Sequence, residues 1–574
     1  MRLMHNSNWL LCILLHGCIV LASSANVFPT TNPMFTEELI LTTANLNAVE
    51  VVIPKLASQQ IQNAATLLTN YIIKSLGGVI PIVKQPSSNC MLHINVGATE
   101  YANKLIFPDL DADGFIIEFP NTNNIVIHGG SDYGTEFGVD EFIERYLGVR
   151  WLFPGELGEC IPIRQSITIT NITVRQEPVF LMRTLAGLPG LQIGECRVWS
   201  KRLRMRSWPD SRLWCEHNIG KTIIPPKKYV VSNPEFFPIH NGTRYLPSTN
   251  SAGVWSLSKW QPCYSNEKTI TEAVKNICEY FTNNPSEQCC SLGVNDESGY
   301  CQCGACLNAV AGKTNFLGLA NYSDQYYNWI NKVVESVLTN FPNKYFGLLA
   351  YSEVIQPPSN FRLNSRVTPM ITYERLKWIV TDIKNNDQEL TKQWNFKSQS
   401  LGWYDYTYGQ KYLIPREWFH LMADYYRFAK SNNVTYLYSE ATPQTNYMEW
   451  PKLYISMKLQ WNPNLDVETL LNEWYIDAVG AASATYIAQY FSLWEDYWTN
   501  RVKQTKWFKS CLVENAQYLR FYDTNYLSGL STLDYNNCEA LLGLCLANAG
   551  TEKQKARAQY FLDTYHSWSA SLNK

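Results

Sequence analysis

The chain has 574 residues, with 48 Lys and Arg against 50 Asp and Glu, and 46% of its residues are hydrophobic. This composition is typical of a globular protein of several domains with large apolar cores. The formal net charge of −2 provides no overall field for nucleic acid or an anionic membrane, so neither is expected as a partner. Aromatic residues make up 13% of the chain. They fit either a large aromatic core or flat rings that bind a sugar.

The N-terminus is typical of a secretory signal. A polar start with Arg2 precedes an apolar run at residues 9–22, and small residues follow at 23–25. We predict a signal peptide over residues 1–25, with an uncleaved anchor as the alternative, although the run is shorter than the ~20 residues of a membrane span. The mature chain is expected outside the cell or in a lysosome-like compartment, free of the membrane. Four N-glycosylation sequons agree with secretion, at Asn171, Asn241, Asn321 and Asn433.

Cysteine use also agrees with secretion. Two of the 16 Cys, Cys12 and Cys18, lie in the predicted signal, which leaves an even number. In an oxidising compartment these would mostly pair as disulfides. One group of closely spaced cysteines could instead bind zinc as thiolates. Its members are Cys301, Cys303 and Cys306, with Cys289 and Cys290 just before them. For a secreted chain we favour disulfides, and we expect no metal or other cofactor.

Residues 30–165 are predicted to form a small α/β domain. A short strand is predicted at 50–53, and the apolar period of residues 58–76 predicts a helix that Gly77 ends. A second helix is predicted over 134–147. Further strands are predicted at 79–83, 91–96, 114–119 and 124–127.

Residues 178–463 alternate between strand-like and helical stretches. The predicted strands are 290–296, 345–353, 367–373, 400–405 and 434–440. Repeated strand–helix units predict parallel strands with helical crossovers, and the length suits a (β/α)8, TIM-like barrel. A doubly wound sheet is the alternative, but no Gly-rich phosphate loop follows a strand.

Residues 464–574 are predicted to form a C-terminal helical domain. Helical spacing of apolar residues marks four segments there. They are 467–478, 482–502, 513–527 and 551–572.

Acidic residues stand at the carboxyl ends of several predicted barrel strands, where a barrel carries its chemistry. They are Asp296, Glu353, Asp405 and Glu440. Glycosidic bond cleavage needs two carboxyl groups, one to protonate the leaving oxygen and one to attack or stabilise the sugar. The alternative is that each acid simply caps a barrel helix.

Adjacent Asp296 and Glu297 suit a second mechanism, in which the N-acetyl group of the substrate is the attacking group. Asp296 would orient that group and Glu297 would be the acid. The alternative is a turn at Asp296, with Glu297 in solvent.

Residues 291–306 (SLGVNDESGYCQCGAC) resemble a motif of a mostly bacterial secreted family that contains glycoside hydrolase family 163. Residues 134–158 are similar to the small α/β domain that precedes the barrel in α-glucuronidases and β-hexosaminidases. Other stretches match the same family pattern, namely 260–263, 346–358, 401–416, 436–452 and 459–480.

This resemblance implies endo-β-N-acetylglucosaminidase activity on N-glycans, with two glutamates in a retaining mechanism. The matching positions are Glu440 and Glu353, as nucleophile and acid/base in unassigned order, and Asp296 matches as well. The chain departs from the family pattern at residues 445–450, which leaves the glycan specificity open.

These observations predict a secreted glycoside hydrolase that cleaves a β-linked N-acetylhexosamine in a glycoprotein glycan. The alternatives are a substrate-assisted hexosaminidase that uses Asp296 and Glu297, and a non-catalytic secreted carbohydrate-binding protein. Eight side chains are expected to bind the sugar, by ring stacking or by hydrogen bonds. They are Trp403, Tyr404, Asp405, Tyr406, Trp450, Arg183, His217 and Asn218.

Overall fold

Two six-stranded sheets organise the part of the chain that the structure describes. This computed structural model describes residues 38–187, 193–206, 210–407, 411–441 and 449–572. The predicted signal peptide at 1–25 lies outside these residues. Within them, no helix has the length and apolar character needed to cross a membrane.

The first sheet belongs to an N-terminal α/β unit. Its elements are β1 (Leu39–Thr42), β2 (Val49–Val52), α1 (Gln59–Leu76), β3 (Ile82–Val83), β4 (Leu92–Val96), β5 (Phe115–Asn121), β6 (Asn124–Gly129), α2 (Asp132–Phe142), β7 (Arg150–Trp151), β8 (Glu159–Cys160), β9 (Ser166–Ile169) and β10 (Val174–Gln176). The strand order is β10-β5-β6-β4-β2-β3, with the last four strands parallel. Helix α1 lies where the apolar period predicts a helix. The side chain of Ser58 caps its N-terminus by accepting a hydrogen bond from the Ile61 N–H.

The second sheet is parallel throughout. Its region contains β11 (Met182–Ala186), α3 (Ile193–Arg202), α4 (Pro226–Tyr229), β12 (Ile239–His240), β13 (Thr243–Arg244), α5 (Lys268–Asn283), β14 (Cys289–Ser291), α6 (Gly304–Val310), α7 (Ser323–Leu338), β15 (Tyr345–Ala350), β16 (Val367–Thr372), α8 (Thr381–Lys397), β17 (Leu401–Tyr406), α9 (Phe419–Ser431) and β18 (Val434–Glu440). The order is β11-β18-β17-β16-β15-β14. All five strands predicted here are present, and β11 was not predicted.

This sheet curls into part of a barrel. Met182 of edge strand β11 and Cys289 of the opposite edge strand β14 belong to one buried apolar cluster, which also contains Met370 of central strand β16. Two edges can share a cluster only if the sheet bends towards itself. Where eight strands were predicted, six form this sheet among the described residues. Residues 213–217 lie in the gap between the edges, with Cys215 in the same cluster and one parallel bridge from His217 to Gly293.

The C-terminal region is helical, as predicted. Helix α10 (Trp450–Trp461) ends the barrel region, and the C-terminal helices are α11 (Val467–Val479), α12 (Ala481–Asp496), α13 (Lys506–Glu514), α14 (Thr532–Asn548) and α15 (Glu552–Leu572). The predicted helix over 513–527 is wrong. Asn515 takes a left-handed conformation (φ 49°) that ends α13, and a loop follows. Helix α14 was missed because its apolar residues lie all around it, so no single face marks it.

Buried ion pairs join the N-terminal unit to the barrel region. Arg204 contacts Glu141 at 2.6 Å and Glu144 at 2.8 Å, and Lys458 also pairs with Glu144. Burial opposes ionisation of Glu144, but Lys458 and Arg204 overcome it and lower the pKa of this carboxyl to about 2. Arg183 pairs with Asp113 at 2.7 Å across the same junction.

The cysteines do not follow the disulfide prediction. No disulfide joins the 14 cysteines within the described ranges. Cys289 and Cys290 are buried in strand β14, and Asn218 Nδ2 lies 3.9 Å from Cys290 Sγ. Four other cysteines form a separate cluster, considered below.

Candidate active site

Glu440 is the last residue of β18, at the carboxyl ends of the barrel strands. Its Oε1 accepts a hydrogen bond of 2.7 Å from the Tyr404 hydroxyl on neighbouring strand β17. Tyr438 lies two residues before Glu440 and so shares its face of the sheet. The Tyr404 and Tyr438 rings stack with centroids 4.5 Å apart. The sequence-predicted residues Glu440 and Tyr404 are therefore in direct contact.

The surroundings of Glu440 favour its protonated form. Burial raises the pKa of Glu440, and the negative charges of Asp296 and Glu374 raise it further. The Tyr404 hydrogen bond acts in the opposite direction because it stabilises the carboxylate. A carboxyl group whose pKa is raised in this way is better suited to donate a proton than one in water.

Asp296 lies in the loop after β14. Its Oδ1 accepts a hydrogen bond of 3.2 Å from the Tyr351 hydroxyl and lies 3.5 Å from Nε2 of His217. The other ring nitrogen of His217, Nδ1, donates to the Val294 carbonyl oxygen at 2.5 Å. Because a carbonyl can only accept, this contact fixes a proton on Nδ1 and turns Nε2 towards Asp296. His217 and Asp296, predicted separately as a sugar-binding and a catalytic residue, are thus neighbours in the structure.

Two tyrosines connect the neighbourhoods of Glu440 and Asp296. The rings of Tyr406 and Tyr518 lie 5.2 Å apart. Burial raises the pKa of both phenols, and the negative charges of Glu440 and Asp296 each add to the effect at both residues. Tyr404, which holds Glu440, and Tyr351, which holds Asp296, pack against the same apolar cluster inside the curled sheet. Both carboxyl groups therefore lie at one space, which we call the mouth. Its border consists of Tyr351, Tyr404, Tyr406, Tyr438 and Tyr518.

Glu353 is buried beside the loop that carries Asp296. It is only 7% exposed, and its Oε1 accepts a hydrogen bond from the Ser298 hydroxyl. Its Oε2 is buried with no hydrogen-bond partner in the described part of the chain. The backbone of Ser352 is left-handed (φ 54°), which bends the chain between its two neighbours. Tyr351, on one side, is hydrogen-bonded to Asp296, and Glu353, on the other side, is hydrogen-bonded to Ser298. Glu353 thus contacts the Asp296 loop through the hydroxyl of Ser298.

Glu297 lies on the outer side of the same loop. Its backbone is left-handed (φ 61°), its side chain is 51% exposed, and its carboxylate lies 3.7 Å from Lys259 Nζ. This is the turn-and-solvent arrangement considered as the alternative to a catalytic role.

Asp405 is buried on the face of β17 opposite to Tyr404. Its Oδ1 accepts the backbone N–H of Arg375 at 3.0 Å and of Tyr406 at 2.8 Å. Burial, partly offset by Arg375, raises the pKa of Asp405 to about 6. Both bonds support the backbone around the mouth, so we correct its role from sugar binding to positioning.

Trp403 and Trp450 do not fit the predicted sugar-stacking role. Trp403 is 1% exposed, because alternation along β17 turns it outwards against Trp378 and Phe428. Trp450 begins α10 and packs edge-on against Trp199. Both rings belong to the core and offer no face to a ligand.

Arg183 and Asn218 also have structural roles in place of the predicted sugar contacts. Arg183 is buried in its ion pair with Asp113. Asn218 is fully buried and donates to the Ser291 carbonyl at 2.8 Å. The mismatch arises because sequence shows polar side chains without showing which already have partners.

Four residues of this region were not among the predicted site residues, namely Tyr351, Tyr438, Ser298 and Tyr518. Ser298 stands two positions after Asp296, and its spacing could have drawn attention to it. Tyr518 comes from the loop after α13, 78 residues after Glu440 at the end of the last barrel strand, and no local pattern marks it.

A family defined as a domain of unknown function, DUF4838, matches residues 153–492. The match spans more than half of the sequence, so the chain belongs to this family. No curated protein matches the sequence.

Solved structures of glycoside hydrolases resemble the chain. The 4-O-methyl-α-glucuronidase BtGH115A of family GH115, described as specific for decorated arabinogalactans, has a TM-score of 0.57 and 12% identity, over 93% of this chain and 76% of that one. A chitobiase from Flavobacterium johnsoniae has a TM-score of 0.44 and 11% identity, over 93% and 90%. The likeness to BtGH115A shows that the chain has a glycosidase-like fold. Membership of glycoside hydrolase family 163 stays a prediction.

Proposed function

We propose that the chain is a glycoside hydrolase that cleaves a β-linked N-acetylhexosamine in a glycoprotein glycan, bound at the tyrosine-bordered mouth. The observation that carries this proposal is that Glu440 and Asp296 are each hydrogen-bonded to a tyrosine, and that both tyrosines pack on one apolar cluster inside the curled sheet. Two carboxyl groups in different environments are what glycosidic cleavage requires. The glycosidase-like fold supports the same class of reaction.

Glu440 is assigned as the proton donor. Burial and neighbouring negative charge raise the pKa of its carboxyl, so it can hold a proton until the glycosidic oxygen leaves. As the bond between C1 and that oxygen breaks, the proton moves to the oxygen and positive charge develops at C1. Water then adds at C1 and its proton returns to Glu440.

Asp296 is assigned to the positively charged sugar centre or to its 2-acetamido group. Its side chain is 55% exposed, so a ligand can reach it. It also accepts a hydrogen bond from the Tyr351 hydroxyl, which holds it in place. A retaining mechanism gives Asp296 or Glu353 a bond to C1, whereas a substrate-assisted mechanism gives that bond to the acetamido oxygen. The buried contact of Glu353 with Ser298 supports a positioning role for Glu353.

The test is a glycan-release assay on a complex N-glycoprotein, with products identified by mass spectrometry. We expect release of an oligosaccharide with a new N-acetylhexosamine reducing end, lost in Glu440→Gln and in Asp296→Asn. Glu335→Gln, on the exposed side of α7, is the matched control and should keep full activity. Binding of glycans without turnover by the unaltered chain would favour the carbohydrate-binding alternative.

We also propose that the chain acts after secretion. The signal-like N-terminus supports this, and the exposed Asn241 and Asn433 are accessible for glycan attachment. Enzymatic removal of N-glycans from protein secreted by a eukaryotic host should lower its mass, and the Asn241→Gln, Asn433→Gln double variant should show a smaller change.

A further inference from the structure

Four cysteines meet on one side of the Asp296 loop. Cys263, Cys301, Cys303 and Cys306 have Sγ atoms that all lie within 4.8 Å of one another. Three of the four are buried, and Cys303 is partly buried. Sequence proximity joins only the last three, whereas the fold brings Cys263 from a separate segment.

We propose that these four thiols form a structural Zn²⁺ site. Cys263 Sγ lies 3.8 Å from Sγ of both Cys303 and Cys306. Four sulfurs at about 2.3 Å from a tetrahedral zinc are separated by about 3.8 Å, whereas a disulfide needs about 2.05 Å. These two distances match edges of a ZnS4 tetrahedron, and the other Sγ pairs lie within 4.8 Å. Full thiolate coordination and burial are typical of structural zinc sites, which keep no open position for substrate.

Hydrogen-bond donors already point at the sulfurs. The Ile239 N–H donates to Cys301 Sγ at 3.3 Å, and the Gln325 amide donates to Cys306 Sγ at 3.2 Å. The Ser265 hydroxyl oxygen lies 3.3 Å from Cys306 Sγ and can turn to donate once the thiol has lost its proton. Such donors offset the net negative charge of four thiolates around one Zn²⁺.

The site would fasten the loop that carries Asp296 and Ser298. The segment that ends at Cys263 is hydrogen-bonded to that loop through Gln261, which donates to the Asn295 carbonyl at 2.8 Å and to the Gly299 carbonyl at 2.9 Å. Lys259 N–H also donates to the Asp296 carbonyl at 3.0 Å. Because Cys301 and Cys306 follow the loop directly, one Zn²⁺ would hold both sides of it together.

The test is metal analysis of the purified full-length chain by inductively coupled plasma mass spectrometry. We expect about one Zn²⁺ per chain in the wild type, a loss of at least tenfold in Cys263→Ser and in Cys306→Ser, and no loss in Cys278→Ser, which lies on α5 outside the cluster. Replacement of Zn²⁺ by Co²⁺ should give the visible bands of tetrahedral thiolate coordination. Zinc retained by both cluster variants, or a wild-type chain without metal, would overturn the proposal.

A second measurement on the wild type does not depend on the folding of variants. Native protein is alkylated with and without a zinc chelator, and the modified cysteines are mapped by mass spectrometry. We expect all four cluster thiols to be protected and then to react together after chelation. Peptides joined by disulfides within the cluster, or thiols whose reactivity does not change with the chelator, would contradict the site.

Discussion

Tyr404 and Glu440 form a hydrogen bond of 2.7 Å between neighbouring strands of the curled sheet. The phenol holds the carboxyl group at the mouth, and it also stabilises the ionised form against the opposing effects of burial and of Asp296. The proton affinity of Glu440 is therefore set by a balance that one substitution can change.

Tyr404→Phe removes the donor and is expected to raise the pKa of Glu440. If Glu440 must be protonated to act, the alkaline limb of the kcat/KM profile moves to higher pH, by about one unit for a lost hydrogen bond to a charged group. Measurement of kcat/KM between pH 4 and about 9 checks this. Tyr436→Phe, on the same strand as Glu440 but not bonded to it, is the control. A profile identical to the wild type would contradict the role of Glu440 as proton donor.

A series of variants separates the roles of the remaining acids. We expect Glu297→Gln to keep most of the activity, because its side chain lies in solvent beside Lys259. Glu353→Gln should lower kcat, and Ser298→Ala should reproduce most of that loss, because the two groups act through one hydrogen bond. If Glu353 is instead the nucleophile, its variant loses about 10⁴-fold or more while Ser298→Ala remains active. A substrate-assisted enzyme with Glu297 as the acid would show the reverse order for Glu297 and Glu353.

Arg204→Met is expected to destabilise the protein by about 3–5 kcal/mol, because Glu141 and Glu144 would lose a buried cation. The control, Arg145→Met, removes a half-exposed partner of the same Glu141 and should cost less than about 1 kcal/mol. Urea unfolding at pH 7, followed by tryptophan fluorescence, measures both. If both variants lowered the free energy of unfolding equally, the buried ion pairs of Arg204 would stabilise the protein no more than the half-exposed pair of Arg145.

His420 contributes to the free energy of unfolding in a pH-dependent way, and this contribution decreases as pH rises. Hydrogen bonds and charge from Glu495, with Glu468 adding to them, raise the pKa of His420 to about 9. The folded state thus binds the proton more tightly than the unfolded state, where the pKa is about 6.5. The stabilisation is complete below about pH 6.5 and disappears as pH rises through about 9.

The variant His420→Gln should therefore lower Tm at pH 6 and have no effect near pH 10. Because the imidazole is half exposed, the loss should stay below about 1 kcal/mol. His566→Gln, at another exposed His–Glu pair, is the control. A larger loss at pH 10 than at pH 6 would contradict the assigned sign.

Local pattern was sufficient for much of the fold. The strands that end near Glu353 and Glu440 were predicted to within a few residues, since apolar runs in a parallel sheet are continuous and end abruptly. The closure of the barrel was not predictable in the same way. Residues 213–217 lie beside β14 and form only one bridge to it. They do not form a regular strand, and none was predicted there.

The candidate site was predictable only in part. Glu440 was singled out because it is an acid at the end of a strand, and β18 does end there. Asp296 was singled out for the same reason, but β14 ends at Ser291 and Asp296 lies in the loop beyond it. Trp403 and Trp450 were misassigned because an aromatic residue beside an acid looks the same in sequence whether its ring faces the mouth or the core. Cys263 and Tyr518 join their clusters from distant segments, and the sequence contains no local record of such contacts.

The loop after α13 also determines how short a fragment of this protein can be and still contain the whole candidate site. Its Leu519 N–H donates to Glu374 at 2.7 Å, and the Glu374 N–H donates to the Gln517 carbonyl at 2.8 Å, which together hold Tyr518 at the mouth. Family similarity ends at residue 492, before this loop begins. A fragment trimmed to that boundary would lack Tyr518 and so part of the border of the candidate site. The proposed function therefore has to be tested on a chain that extends beyond the family match.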